Sequence, residues 1–479
     1  MVYQGHLHQV HQEVVQDVIK KKKLSKIMKR IIFLLGGLLS SLVINAQAIS
    51  YTDAAVLFSS DDNNGTARYN GMSGAFGALG GDMSAVEINP AGLAIFKDTE
   101  FSTTVGLRNT DIMSNFYGTT NSNDDSYFNL HQVGGALVFN SRHSNWSKVA
   151  IGFNYTLLKD FENSYIVEGN SGVSEFYSDP YLNDDGISGN DVYYDFVDGQ
   201  FFGNYTSGKN ERFTFSLAAQ YNDNLYLGFS LITHNLDFYQ NALFEESNND
   251  GNGNLLDASL LQELYSYGEG VGFGFGFITK PSHNIRFGLS YQTPIWYSLT
   301  DEFVEDLEIS VSNNANLYTE NSGVSVYDYK FNSPAKYTGS FAYVFEKQGL
   351  FSIDYTLKGY KNAKLKPTNE FINENDTFNN YMKNTSSVRI GGEWRVDNVS
   401  LRGGYHFEES PYKDALDSDN ITGYSLGVGF KFRGNTKLDL AYQRSENTDV
   451  YGFLNIDGVA PAELDITNDK FTATLVIGF

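Results

Sequence analysis

The side chains best suited to bind a small anion are four cations in the last quarter of the chain. Arg395, Arg402, Arg389 and Lys431 lie in short segments where apolar and polar residues alternate. Arginine holds a carboxylate through two parallel hydrogen bonds, so we expect Arg395 and Arg402 first, then Arg389 and Lys431, to anchor a ligand carboxylate. The alternative is that these cations only pair with acids on the same surface, namely Glu393, Glu408 and Asp439.

A second candidate site is a calcium loop near the middle of the chain. Around a glycine at the sixth position, oxygen-bearing side chains recur with the spacing of a calcium-binding loop, namely at Glu246, Asn248, Asp250, Asn252 and Asp257. Acidic turns also produce such strings by chance, and the last position of this one holds aspartate where glutamate is usual. Asp184-Asp185-Gly186 is a shorter string of the same kind. We therefore predict no metal site, with the longer loop as the alternative.

Catalytic and cofactor chemistry find little support in the sequence. The chain has no cysteine, which excludes disulfides and thiolate metal ligands. His131, His234 and His406 lie in apolar segments, but no Gly-x-Ser-x-Gly pattern of a serine nucleophile accompanies them. We predict a protein that is not an enzyme and that needs no cofactor.

The elements that position these side chains are strands with a period of two. In the last segment Phe471, Leu475 and Phe479 share one face, and polar residues share the other. Segments 386–396 and 398–408 likewise separate an apolar row from a charged row. A barrel in a membrane explains this pattern, because it turns the apolar row to lipid and the charged row to a wet lumen.

Counting such segments predicts an all-β fold, a 14-stranded antiparallel transmembrane β-barrel. The strands are expected near residues 99–109, 128–140, 147–160, 211–221, 224–236, 265–279, 284–298, 336–346, 349–360, 386–396, 398–408, 420–433, 435–445 and 469–479. The barrel domain is thus 99–479. A terminal aromatic on the last strand, Phe479, resembles the signal read by the barrel-assembly machinery.

The links between these strands alternate in length, which orients the barrel. Short links, at Asn222-Asp223, Lys347-Gln348, Asp397 and Gly434, are typical of periplasmic turns. The long ones are expected to be extracellular loops, at residues 110–127, 161–210, 237–264, 299–335, 361–385, 409–419 and 446–468.

An export signal precedes the barrel at residues 28–48. Lys29 and Arg30 stand before an apolar run from Ile31 to Ile44, which is shorter than the roughly 20 residues of a spanning helix. Small residues for cleavage follow at Ala46 and Ala48. Residues 1–27 are interpreted as an upstream extension, which a misassigned start codon would explain.

The predicted mature chain is strongly acidic. Residues 1–48 carry a net charge of +5, from seven Lys or Arg and two acids, so their removal takes the net charge from −23 to −28. Such a chain repels phosphates, and we expect no nucleic-acid partner.

Residues 49–98 lie between the signal and the first strand and lack strand periodicity. Their small residues allow tight turns and close packing, as a plug inside a barrel requires. One helical turn is expected at 84–87, ending before Pro90. The residues on which we base a hatch within 65–94 are Arg68, Gly71, Gly74, Gly81, Asp82, Asn89, Pro90 and Ala91.

This hatch pattern resembles the FadL/TodX family of outer-membrane transporters, and two further stretches, 287–294 and 401–405, are also similar to that family. The resemblance covers essentially the whole mature chain. It implies a fourteen-stranded barrel in the Gram-negative outer membrane, plugged by an N-terminal hatch. It also implies that hydrophobic ligands are captured among extracellular loops and released laterally into the membrane lipid at a kinked strand.

The resemblance implies a hydrophobic small-molecule ligand, most plainly a long-chain fatty acid. Aromatic hydrocarbons and haem are alternative substrates, and a structural or adhesive barrel without transport is the alternative function. The sequence has no phosphate-binding loop, and the one candidate for a short energy-coupling motif is Thr52 to Leu57. We therefore expect passive diffusion. Either a capture groove or the aromatic girdle explains the aromatic residues Phe196, Phe201, Phe202, Tyr205, Phe238, Tyr239 and Phe244.

Overall fold

The computed structural model describes residues 48–141, 145–182, 192–454 and 456–479. The predicted upstream extension, the signal peptide up to residue 47 and Asp184-Asp185-Gly186 lie outside these residues. Within the described chain, no helix is both long enough and apolar enough to cross a membrane.

The described chain forms one closed antiparallel β-barrel of fourteen strands, as predicted. Barrel closure comes from the last strand pairing with the first, from Glu100↔Gly478 to Asn115↔Glu463. The strands are β1 Glu100–Phe116, β2 Thr119–Asn140, β3 Trp146–Asp160 and Asn163–Gly169, β4 Phe196–Tyr221, β5 Leu225–Asn249, β6 Leu255–Thr279, β7 Ile285–Gln292 and Trp296–Val311, β8 Tyr318–Asn321, Ser325–Asn332 and Lys336–Phe345, β9 Gly349–Lys358 and Lys364–Lys366, β10 Thr385–Val396, β11 Val399–Glu408, β12 Ile421–Lys431, β13 Thr436–Tyr451 and β14 Ala462–Gly478.

Side chains alternate between lipid and lumen along these strands, as the period of two predicts. Trp394, Leu401 and Tyr405 are about half exposed on the outer face, whereas Glu393 and Arg402 are buried on the inner face. The expected periplasmic turns lie between β4 and β5, β8 and β9, β10 and β11, and β12 and β13. Left-handed backbone conformations there include those at Asn222, Glu346, Asp397 and Gly434.

The extracellular ends differ from the prediction, because most of the expected loops are strand. β1 runs to Phe116 and β2 begins at Thr119, so 110–127 holds only a two-residue turn and not a loop. β5 and β6 likewise extend through 237–264 except at 250–254, and strand structure also occupies much of 161–210, 299–335 and 446–468. Above the membrane the outer face meets water, so these strands lack the apolar row on which the prediction depended.

The segment before β1 folds into short helices inside the barrel. The helices are α1 Tyr51–Ser59, α2 Ala67–Asn70, α3 Ala85–Ile88 and a 3-10 helix, Pro90–Ile95, and α4 Ile372–Asn380 follows β9. Side-chain oxygens of Ser50, Thr66 and Asn89 accept hydrogen bonds from the first turns of α1, α2 and the 3-10 helix. The expected turn at 84–87 is α3, and Asn89 ends it.

Candidate functional site

Glycines on the inner wall make room for the backbone of the hatch. Met72 lies against Gly391 of β10 and Gly404 of β11, and Gly71 lies against Gly427 of β12. A side chain at Gly404 would start 2.5 Å from the Met72 carbonyl carbon. On the opposite side Asn89, Pro90 and Ala91 lie against the inner glycines of β5 and β6, namely Gly228 and Gly276. The hatch therefore fits the wall backbone to backbone.

Polar contacts fix the same segment in register with the wall. The carboxylate of Asp354 on β9 accepts hydrogen bonds from the backbone N–H groups of Phe76, at 2.9 Å, and Gly77, at 2.8 Å. The side-chain amide of Asn89 donates to the Phe277 carbonyl on β6 at 3.1 Å. Within the hatch, Asp82 accepts from the Thr66 hydroxyl at 2.8 Å, and Gly74 and Gly81 adopt left-handed conformations.

A buried carboxylate, Glu393 of β10, joins the hatch to the wall. Arg68 of the hatch lies 2.9 Å from it and Arg402 of β11 lies 2.7 Å from it, while Arg395 pairs with its other oxygen. Arg402 also pairs with Asp439 of β13 at 2.6 Å. The predicted ligand anchors Arg395 and Arg402 are thus both paired with acids.

Arg389 is the one predicted anchor that faces an open cavity in the lumen. The cavity has a volume of about 60 Å³ and lies between the hatch and the wall. Four cations line it, namely Arg389, Arg212, Lys336 and Lys358, together with the acids Asp61, Glu87 and Asp354. We call this space the cation cavity. Lys431 lies elsewhere, exposed at the end of β12 beside a periplasmic turn, so the structure does not bring the four predicted anchors together.

Among the described residues, only one of the four cavity cations, Lys358, has an ion pair with an acid of the wall. Glu87 of the hatch pairs with Arg212, and Glu408 of β11 pairs with Lys358. Arg389 donates a hydrogen bond to the Tyr69 hydroxyl at 2.9 Å instead. Lys336 has only Asp61, whose oxygen is 3.9 Å away.

Asp61 is one of the three acids that line this cavity, and it is the one that lies beside Lys336. Burial alone would raise the pKa of Asp61, but Lys336, Arg212 and Arg389 hold that pKa below its ordinary value. Next to it, Asp62 pairs with Lys159 at 2.6 Å and accepts from the Asp160 N–H at 3.0 Å. The Asp61-Asp62 pair thus ties the segment before the hatch to β3 and β8.

An apolar chamber lies directly beyond the cation cavity on the extracellular side. Its wall is formed mainly by aromatic side chains, and α1 fills its centre with Ala54, Ala55 and Phe58. Phe58 makes edge contacts with Phe161 and Phe238, at ring-centroid distances of 5.8 and 5.5 Å. We call this space the upper chamber. The candidate coupling segment Thr52 to Leu57 is part of α1 in this chamber.

A second apolar cluster, the outer cluster, lies between the extracellular ends of the strands. Phe202, Phe244 and Phe453 are buried there, and Phe202 stacks on Phe453 with ring centroids 5.0 Å apart. Of the predicted aromatic residues, Phe202, Phe238 and Phe244 face inward and are buried, and Phe201, Tyr205 and Tyr239 are partly exposed. Phe196, at the start of β4, is 60% exposed.

The wall has a gap between β2 and β3. Their ladder runs from Asn140↔Lys148 only to Gln132↔Thr156, although β2 continues to Thr119 in pairing with β1. The second segment of β3 pairs only with β4 among the described residues. Polar side chains cross the gap, where Asn129 donates to Asp160 at 2.7 Å. β3 itself is interrupted beside this gap, between Asp160 and Asn163.

The structure does not gather the calcium candidates. Glu246 and Asn248 are buried, and Glu246 accepts from the N–H groups of Glu175 and Phe176. Asp250 accepts from Asn252 and Asn254 in the turn, and Asp257 faces outward. Strand alternation separates these side chains. Across the described residues no group of His, Cys, Asp and Glu could hold a metal ion.

Sequence reasoning missed Lys336, Lys358, Arg212 and Asp61. Lys336 and Lys358 stand at the ends of predicted strands and face inward, so alternation was a signal for both. They are also direct partners in the β8–β9 register. No signal in the sequence marks Asp61, because its role depends on where the segment before the hatch lies.

The sequence model of a family described as "Outer membrane protein transport protein (OMPP1/FadL/TodX)" matches residues 189–456. No curated protein matches the chain.

Solved structures resemble the whole barrel. A FadL homologue from Pseudomonas aeruginosa gives a TM-score of 0.57 at 16% identity, covering 88% of this chain and 100% of that chain. The toluene transporter TodX from Pseudomonas putida gives 0.56 at 14%, covering 87% and 99%. TbuX from Ralstonia pickettii gives 0.50 at 17%, covering 86% and 98%. At these identities the likeness establishes the fold.

Proposed function

Since the chain belongs to the OMPP1/FadL/TodX family of outer-membrane transport proteins, we propose that its ligands are long-chain fatty acids. It is a transport channel for hydrophobic small molecules in the outer membrane of a Gram-negative cell, and not an enzyme. The observation that carries the finer proposal is the adjacency of an aromatic upper chamber and a cation cavity. A fatty acid has the same two parts, an apolar tail and a carboxylate.

The proposed route starts at the outer cluster and passes through the upper chamber. The tail then replaces the apolar side chains of α1, and the carboxylate takes the place of Asp61 beside Lys336 and Arg389. The ligand leaves through the β2–β3 gap, where the ladder is already open and only side chains close the wall. The hatch blocks the straight route to the periplasm, and transport is passive.

Replacing Lys336 and Arg389 together by glutamine is expected to weaken oleate binding by about tenfold or more. A hydrogen bond to a charged group contributes about 1.5–3 kcal/mol, and about 1.4 kcal/mol corresponds to a factor of ten. Binding is measured by titration of the detergent-purified protein with oleate and with methyl oleate. The ester has no charge, so its affinity should change little.

Lys431→Gln is the matched control, because Lys431 is a cation on the same wall but exposed at the periplasmic rim. Equal loss of oleate and methyl oleate binding in the double variant would contradict the carboxylate site. Tight binding of toluene with no oleate binding would favour neutral aromatic compounds, for which the aromatic upper chamber is also suited.

We also propose that Phe479 is recognised by the barrel-assembly machinery. Phe479 is 78% exposed on the lipid side and its N–H donates to the Thr99 carbonyl at 2.9 Å. Removing Phe479 should lower the amount of assembled barrel several-fold, measured by heat-modifiable migration of outer-membrane fractions. Phe471→Ala removes a lipid-facing aromatic from the same strand and should cost much less, and equal losses would argue against a terminal signal.

A further inference from the structure

Three neighbouring strands of the wall are interrupted at one level, far from β3. β7 breaks at 293–295, β8 at 333–335 and β9 at 359–363. The β7–β8 register resumes on both sides of the break, with Gln292↔Lys336 below it and Trp296↔Asn332 above it. The breaks are therefore aligned across the wall. We call this place the seam.

Few backbone hydrogen bonds hold the seam. Pro294 and Pro334 have no N–H to donate, and proline is rare inside paired strands for that reason. Ser333 N–H donates to the Ile295 carbonyl at 3.0 Å, while the Ile295 N–H is satisfied by the Ser333 side-chain oxygen at 2.9 Å. Between β8 and β9 the Gly359 N–H donates to the Ala335 carbonyl at 3.1 Å.

The side chain of Ile295 closes the seam from within. It is 4% exposed and lies over the inner face of β6, where every second residue from 268 to 276 is glycine. Side chains at Gly270 or Gly272 would overlap Ile295. These glycines form a groove along the lumen wall, in which Ile295 lies at Gly270 and Gly272, between Tyr297 on one side and Pro90 of the hatch on the other.

The seam lies where the two parts of the ligand site meet. Above it Tyr297 and Phe331 belong to the upper chamber, and below it Gln292 and Lys336 line the cation cavity. An amphiphile bound in both spaces would pass directly behind Ile295.

On the outside, the seam faces the upper edge of the membrane. The β8 segment between the seam and the periplasmic turn has 10 residues, and a spanning strand needs about 9–11. Tyr291 and Tyr337 pack against each other just below the seam, with ring centroids 4.7 Å apart, and Trp296 is 40% exposed just above it. Aromatic residues of this kind mark the membrane interface of barrels.

We propose that the seam is a second lateral window, through which the tail of a bound amphiphile passes between the lumen and the outer leaflet when the Ile295 side chain leaves the β6 groove. This inference rests on the proposed function. The seam would be an opening additional to the β2–β3 gap and on a different side of the barrel, with β4, β5 and β6 between β3 and the seam.

The test is a disulfide across the seam, made by Ile295→Cys with Ser333→Cys. The chain has no cysteine of its own, so the new bond is the only one possible. Tyr291→Cys with Tyr337→Cys is the matched control, because these residues are register partners on the same two strands below the seam. Asn129→Cys with Asp160→Cys locks the β2–β3 gap. Uptake of radiolabelled oleate by cells is measured for each variant, oxidised and reduced.

Oxidation of the seam pair is expected to lower uptake about twofold, since one of two parallel openings is closed, and reduction should restore it. The control pair should show no such change, and the seam and gap locks combined should abolish uptake. Full uptake with an oxidised seam, or abolition by the gap lock alone, would refute the window and leave the proposed function standing. Absence of uptake by the unaltered protein would overturn both.

Discussion

Gly404→Val is expected to open a conducting path through the barrel. Gly404 faces the lumen, where a Cβ atom would lie 2.5 Å from the Met72 carbonyl carbon and 2.7 Å from the Ser73 N–H nitrogen. Both contacts are to backbone, which cannot turn aside as a side chain can. The hatch must therefore leave its seat, and the lumen that it fills becomes continuous with water. Single-channel conductance in planar bilayers measures the change.

Gly403→Val is the matched control for this prediction. Gly403 is the next residue on the same strand and points to lipid, and the nearest atom to its added Cβ is 3.8 Å away. Its conductance should stay at the level of the unaltered protein. Deletion of residues 65–94 removes the whole hatch, and the conductance of that variant is the upper limit expected for Gly404→Val. If the Gly404→Val variant conducts no more than the Gly403→Val variant while the deletion variant conducts freely, contact with the wall glycines does not hold the hatch in place.

Glu393→Gln is expected to lower the free energy of unfolding by about 3–5 kcal/mol, as removal of one partner from a buried ion pair does. The side chain of Glu393 is 1% exposed and faces Arg68, Arg402 and Arg395. Glutamine keeps the shape but removes the charge. Arg402 retains Asp439, whereas Arg68 and Arg395 lose their partner. Urea unfolding of the barrel in lipid vesicles measures the loss.

The control is Glu446→Gln, which removes an acid from an exposed pair with Arg444 on β13. Exposed ion pairs contribute about 0–1 kcal/mol, so this variant should unfold nearly as the unaltered protein does. A Glu393→Gln loss no larger than that would mean that the three arginines find other partners or water.

The sequence predicted the membrane part of the barrel well, because lipid demands an apolar row on every strand. The C-terminal strands illustrate this, since Asp397 marks the β10–β11 turn and Trp394 and Leu401 face outward on both sides of it. The extracellular part was predicted poorly for the same reason. Around the turn at 117–118 the outer face of the strands contacts water, so polar residues occupy both faces and no apolar row marks the strands.

The charged site was only partly predictable, because its members come from strands far apart in the chain. Glu393 and Arg402 are direct partners in the β10–β11 register, and the alternative interpretation recognised such pairing. Asp61 and Lys336 are separated by 275 positions, and no spacing rule links them. The hatch residues were predictable as a pattern of small and polar types. The wall glycines that contact them were not, because that contact depends on how the hatch lies against the folded barrel.

The length of the strands also constrains how this surface can evolve. β4, β5 and β6 have 26, 25 and 25 residues, and tilted strands of that length rise roughly 30 Å beyond the apolar band. Inserting one residue into such a wall would exchange water-facing and lumen-facing side chains along the rest of the strand. Insertions and deletions that natural selection retains should therefore have even numbers of residues or fall at the hairpin tips. Antibodies or phages that bind the part of the strands outside the membrane should meet a surface that varies by substitution more than by insertion.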